Sequence, residues 1–144
     1  MVRSFFRILL ATAYLIAGVA HLRSPAGFLA ITPDWVPYPE LTVAATGVAE
    51  IAGAVALFIP RLRIAAGLAL ALYAFCVWPA NFNHAINDIA IGGKHLGWWY
   101  HGPRLALQPV IIWWALWAGG VTDWPFRVIS SEMKASNDSE IAEN

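Results

Sequence analysis

The sequence predicts an all-α protein: an integral membrane four-helix bundle. Three observations predict it. Four segments are apolar over close to the length of a bilayer crossing, about 20 residues at 1.5 Å rise per residue. Of the 144 residues, 59% are hydrophobic and only 12% charged, and mean hydropathy is +0.59. A soluble domain is nearer 45–50% apolar and about 25% charged, so most of this surface has too little charge to face water. The aromatic residues Trp35, Tyr38, Trp98, Trp99 and Tyr100 flank apolar runs, where a flat amphipathic ring suits the headgroup layer.

The first span is expected over residues 5–22. Arg3 and Arg7 ahead of a run ending Gly18-Val19-Ala20 also have the form of a secretory signal with a cleavage site. Cleavage would leave three spans and reverse the topology. The length of the run and the role of His21 below favour a retained span. Residues 23–40 hold Pro25, Pro33, Pro37 and Pro39 and read as a structured loop with a short interfacial helix near residues 25–31. The second span covers residues 41–59. Pro60, with Arg61 and Arg63, forces a short hairpin into the third span, residues 64–82. Pro79 is expected to free a carbonyl one turn back and kink that helix. Residues 87–103, with Gly92, Gly93, Gly97 and Gly102, read as a second loop. The fourth span covers residues 105–121, with Pro109 tolerated in its first turns. Residues 1–129 thus form one domain without internal repeats. From residue 130 the chain turns polar and reads as a disordered cytoplasmic tail, whose sequon at Asn137 is a chance match.

Loop charge orients the bundle. Arg3, Arg7, Arg61, Arg63, Arg127 and Lys134 fall on one side, and Arg23, Lys94 and Arg104 on the other. The more basic side is cytoplasmic, so both termini lie inside, in a plasma or inner membrane, and the two longer loops lie outside. The single cysteine, Cys76, excludes an internal disulfide and a Cys-rich metal site. A net charge of zero points to no nucleic-acid partner.

Glu50 is the most informative residue. A carboxylate near the centre of a span costs about 2.5–3.5 kcal/mol even on the lenient insertion scale, so such a residue faces the bundle interior and has a partner. It lies about 13 Å below the outer boundary at 1.5 Å per residue. Gly47, Gly53 and Ala54 share its face, a small-residue stripe that lets helices approach closely. His21 ends the first span on the face of Tyr14 and Gly18. Asn81 and His84 end the third span, and Arg104 and Gln108 begin the fourth. All four spans therefore bring polar groups to the outer half: His21, Glu50, Asn81, His84, Arg104 and Gln108. The inner half brings almost none. The pattern predicts an outward-facing polar cavity or a hydrogen-bond network closing that end. Arg104 is the expected charge partner of Glu50, with His21, Asn81 and Gln108 as a hydrogen-bonding ring. Each residue has a plainer reading as well: ion pair, interfacial cap or interhelical glue. His95 and His101, placed in the loop, have weaker claims.

The chain lacks His-x-x-x-His, paired Cys and Glu-x-x-His spacings, so no metal is expected. A haem between His21 and His84 is disfavoured because nothing around them suggests room for a porphyrin. A carboxylate, a histidine and an arginine can bind a quinone head group, a small anion or a proton.

Over residues 15–117 the chain resembles the DoxX-like family of small four-helix membrane proteins. The likeness is carried by Gly18-Val19-Ala20-His21 with Pro25 and Phe28; Ile31-Thr32-Pro33 and Val36-Pro37; Gly47-Val48-Ala49-Glu50 with Gly53; Pro60 to Arg63 with Ala66-Gly67; Pro79-Ala80-Asn81; and Arg104-Leu105-Ala106-Leu107-Gln108 with Trp114. Phe82-Asn83-His84 is more polar than that pattern, and Ala106 stands where proline is common. The resemblance implies a four-helix membrane bundle associated with redox and oxidative-stress processes, a quinone-linked oxidoreductase subunit among its relatives. The resulting expectation is an accessory protein or subunit in membrane redox physiology, partnered by the bilayer and by a redox protein or a second copy. It has no redox centre of its own, which counts against independent catalysis. The rivals are a proton or small-solute transporter, a quinone-binding oxidoreductase subunit, and a polar cluster that serves folding alone.

Overall fold

A computed structural model describes residues 2–127. They form five helices in the order α1 (Val2–Arg23), α2 (Ala26–Ile31), α3 (Pro39–Ala56), α4 (Arg63–Ile86) and α5 (Gly97–Gly119). Among the described residues there is no strand; a lone bridge pairs Ile91 with Lys94 in the loop before α5. α1 and α4 are each long and apolar enough to cross a membrane. The polar tail expected from residue 130, with its sequon, lies outside the described residues.

Local chemistry explains most boundaries. Tyr38 is left-handed (φ 47) and Pro39 opens α3, with Glu40 in its first turn. Proline suits a helix start because its missing N–H would have no partner there, and a carboxylate there complements the positive end of the helix dipole. α3 stops at Ala56, earlier than the expected limit of 59, and residues 57–62 form tight turns around Pro60. α4 runs through Pro79 to Ile86, past the expected end at 82.

α5 needs the largest correction. It begins at Gly97, inside what reads as a loop, and carries both Pro103 and Pro109. Pro103 lies in the second turn, where its missing N–H leaves only the carbonyl four residues back without its usual donor, and the helix survives. Gly120 (φ 81) closes α5 in a Schellman motif: its N–H reaches Trp117 O at 3.1 Å and that of Val121 reaches Leu116 O at 2.9 Å.

The four long helices pack as two pairs, α1 with α3 and α4 with α5, and the seams between pairs are thin. Each pair crosses on glycines. A Cβ on Gly18 would lie 2.6 Å from Gly47 O, and one on Gly67 would lie 2.8 Å from Gly119 Cα. The pairs join at the end of the bundle where α1 starts and α5 finishes, hereafter the terminal end. There Leu70 fills the notch left by Gly53, Tyr14 Oη donates to Leu70 O at 3.3 Å, and Leu10, Ala54, Leu57, Ala115 and Ala118 complete the core. Arginines pin the same end. Arg7 Nε donates to Ala118 O at 2.9 Å and Arg63 Nε to Leu57 O at 3.1 Å, each supplying a donor to a helix C-terminus. Arg3 pairs with Asp123.

Candidate functional site

Toward the other end, the α2 end, the two pairs separate around a cavity of about 940 Å³. Its wall is mainly apolar side chains of all five helices, and α2 with residues 32–36 lies over it. One bond ties this roof to α4: Asn83 Nδ2 donates to Ile31 O at 3.0 Å.

Five of the six residues singled out in the sequence line this cavity: His21, Glu50, Asn81, Arg104 and Gln108. They do not form a single ring. Glu50 is 3% exposed, and its ionic partner is His21, with Nδ1 to Oε2 at 3.0 Å. Arg104 is not that partner. Its guanidinium donates to His84 Nδ1 at 2.9 Å and lies over the Tyr100 ring, 5.5 Å from the centroid. Span depth can be counted along a sequence, but the direction in which a residue leaves its helix cannot, and two groups at one depth point to different neighbours.

His21 Nδ1 stands between two oxygens, Glu50 Oε2 and Ala17 O, the latter at 2.9 Å. A backbone carbonyl only accepts, so the single Nδ1 proton belongs to that bond. Glu50 Oε2 is left buried without a hydrogen bond, a state that favours any ligand bringing a donor. Phe28 of α2 stacks on the His21 ring with centroids 3.7 Å apart, and the Tyr73 hydroxyl lies near both Glu50 and Thr46.

The second cluster joins α4 to α5. Asn81 Nδ2 donates to Gln108 Oε1 at 3.1 Å, and Gln108 Nε2 donates to Ala74 O. Pro79 deprives the neighbouring Phe75 carbonyl of its usual donor, so this amide reinforces α4 where its ladder is interrupted. His84 does not line the cavity. It is fully buried on the α5 side, its ring 4.5 Å from that of His101 and edge-on to it. A guanidinium cannot accept, so His84 Nδ1 is bare and the proton sits on Nε2, which has no partner.

Tyr73 and Phe28 were not singled out in the sequence because an aromatic in an apolar run reads as core. The signal available was position: Tyr73 is one turn before Val77 and two turns before Asn81 on α4. His101 was weighed as a loop residue and is instead a buried α5 residue, 2% exposed. Among the described residues, no group of three His, Cys, Asp or Glu side chains is placed to hold a metal ion.

Residues 10–119 match the family described as Domain of unknown function (DUF8561). The chain belongs to that family. The DUF8561 match takes in both glycine crossings and every cavity-lining residue; Arg3, Arg7 and Asp123 at the terminal end fall outside it. No curated protein matches the chain, and no solved structure does.

Proposed function

We propose that the chain is a four-span membrane protein, both termini cytoplasmic, that binds a lipophilic redox-active molecule such as a quinone in its reduced, quinol form, whose hydroxyl can donate to Glu50, and serves as an accessory or subunit in membrane redox physiology. The observation that carries this reading is the buried Glu50 carboxylate, whose Oε2 faces His21 without a hydrogen bond, in the wall of a large, mainly apolar cavity. Ligand sites combine an apolar wall with a few placed polar groups, in volumes of roughly 300–1,000 Å³. Arg104, charged and in the same wall, supplies a second polar anchor for a head group with two hydrogen-bonding ends.

The membrane part draws support from large apolar side chains exposed on every long helix, among them Ile16, Val48, Leu72, Phe75 and Leu107. Contiguous apolar surface of this kind is rare on soluble monomers. α3 and α5, of 18 and 23 residues, have the length to cross but carry two glutamates and a His–Gly–Pro stretch respectively. The resemblance to DoxX-like proteins supplies the redox association.

A second reading rests on the Gly18–Gly47 crossing beside the His21–Glu50 pair. A Cβ on Gly18 would lie 3.2 Å from Glu50 Cβ, so in this reading the ion pair is a clamp on that crossing, with the acid purely architectural. One experiment separates the two. Thermal stability is measured for purified wild type and Glu50→Gln, with and without quinones, their quinols and small anions. A ligand that binds the native state raises stability by mass action. A quinol shift in wild type that vanishes in Glu50→Gln supports the binding site. No shift with any ligand, together with a strongly destabilised variant, leaves the clamp.

A further inference from the structure

We infer that the cavity is loaded sideways from the bilayer, through the seam between α3 and α4, by an uncharged amphiphile whose hydrogen-bonding head reaches Glu50 while its apolar tail stays toward lipid. The inference rests on the membrane reading above and adds the route and the class of molecule.

The seam is closed at one end and open at the other. Toward the terminal end, Leu70 of α4 fills the Gly53 notch on α3, and Ala54 and Leu57 are fully buried beside it. Toward the α2 end the Tyr73 hydroxyl of α4 reaches Glu50 and Thr46 of α3, and the opening lies beside and beyond that side chain. There Val43, Thr46 and Glu50 of α3 and Tyr73, Cys76 and Val77 of α4 all line the cavity. Cys76 is exposed on the helix surface and yet borders the cavity, so the cavity reaches the outside between these helices. Phe75 beside it is 59% exposed, which in a spanning helix means contact with hydrocarbon.

The aqueous route is obstructed. α2 covers the end of the cavity, Phe28 lies stacked on His21, and Ile31 is buried and held by Asn83. The opposite seam is stitched at the terminal end, where Trp114 Nε1 donates to Phe6 O at 3.2 Å; farther along it, Ala13 and Leu107 also border the cavity, so the Cys76 adduct is what separates the two seams.

The route selects the molecule. A hydrophilic solute or an ion does not reach an opening at hydrocarbon depth, because desolvating it costs far more than the site returns. A molecule already dissolved in the bilayer bears no such cost. Its head needs a donor for Glu50 Oε2, and its body needs only apolar contact.

Cys76 is the chain's single cysteine and can report on the seam. The full chain is reconstituted in liposomes and treated with a lipophilic alkyl maleimide or a charged, water-soluble one. Uptake of a decyl-substituted benzoquinol, kept reduced, is then followed by stopped-flow quenching of tryptophan, with Glu50→Gln as the background. In parallel the roof is locked by bridging Ile31→Cys and Asn83→Cys with a short bis-maleimide in a Cys76→Ser chain. The lipophilic reagent is expected to modify Cys76 at least tenfold faster, its adduct to slow quinol uptake at least tenfold, and the locked roof to leave uptake within twofold. Equal reactivity toward both reagents, or a locked roof that slows uptake while the Cys76 adduct does not, overturns the inference. A wild type that shows no specific quenching removes the quinol reading alone. The route is then read with a decylphenol of the same tail length: slowed Cys76 labelling retains it, and unchanged labelling overturns it.

Discussion

The two helix pairs are joined by different means at the end where the cavity lies. In α1/α3 the backbones meet near that end, Gly18 against Gly47, beside the His21–Glu50 pair. In α4/α5 the glycine contact, Gly67 against Gly119, lies at the terminal end. Toward the α2 end that pair is linked by side chains, Asn81 to Gln108, Gln108 to Ala74 O and Arg104 to His84. Asn81, Gln108 and Arg104 of α4/α5 are thus held by side-chain bonds across that pair. In α1/α3 the His21 proton goes to Ala17 O, and the Glu50 oxygen facing that nitrogen lacks a hydrogen bond.

The contrast can be broken at the crossings, where the largest effects are expected. Gly18→Ala and Gly67→Ala each press a methyl into a neighbouring backbone that cannot yield. Each is expected to destabilise by about 1–3 kcal/mol, outweighing the gain of up to about 1 kcal/mol that alanine brings to a helix. Gly102→Ala, with nothing within 4 Å of its added Cβ, is expected to be neutral or slightly stabilising. Thermal midpoints in detergent read all three.

Side-chain replacements sharpen the contrast at intermediate size. Gln108→Leu strands the Asn81 amide and the Ala74 carbonyl in a buried site and should cost about 1–3 kcal/mol. Glu50→Gln keeps the shape, and the glycine crossing still holds its helices, so it should cost under about 1 kcal/mol while abolishing the ligand response. Comparable losses in the two variants would erase the distinction.

The smallest effect is expected far from both, at the Arg3–Asp123 pair. The hydrogen bond and charge of Arg3 hold the Asp123 carboxyl below the usual carboxylate range. A depressed folded-state value stabilises above the unfolded value, near pH 4, and the benefit is lost as pH falls through the folded one. Acidification below about pH 4 should therefore erode stability slightly in wild type, and less so in Arg3→Gln; the pair is exposed, and salt weakens it further.

How much was legible in the sequence differs between along-helix and around-helix information. The long helices and the short α2 follow from apolar runs and prolines, and the clustering of polar residues at one end follows from counting depth. The pairing of Glu50 with His21 instead of Arg104 does not, because it depends on which helices adjoin. The early start of α5 was hidden by Gly97, Gly102 and Pro103, which read as loop residues although one proline near a helix start does little harm. The role of His84 was hidden for a related reason: with residues 97–102 taken as loop, there was no His101 for it to pack against.

The thin seams carry a mechanical consequence. Each helix pair behaves as a stiff leaf, and the leaves are riveted along one edge by Leu70, Gly53 and Tyr14. A guest that swells the cavity parts the leaves like the covers of a book and leaves the interior of each undisturbed. Because α2 is tethered to one leaf by its chain ends and to the other by the Asn83–Ile31 bond, the opening is registered at the exposed face of the molecule as strain on that strap.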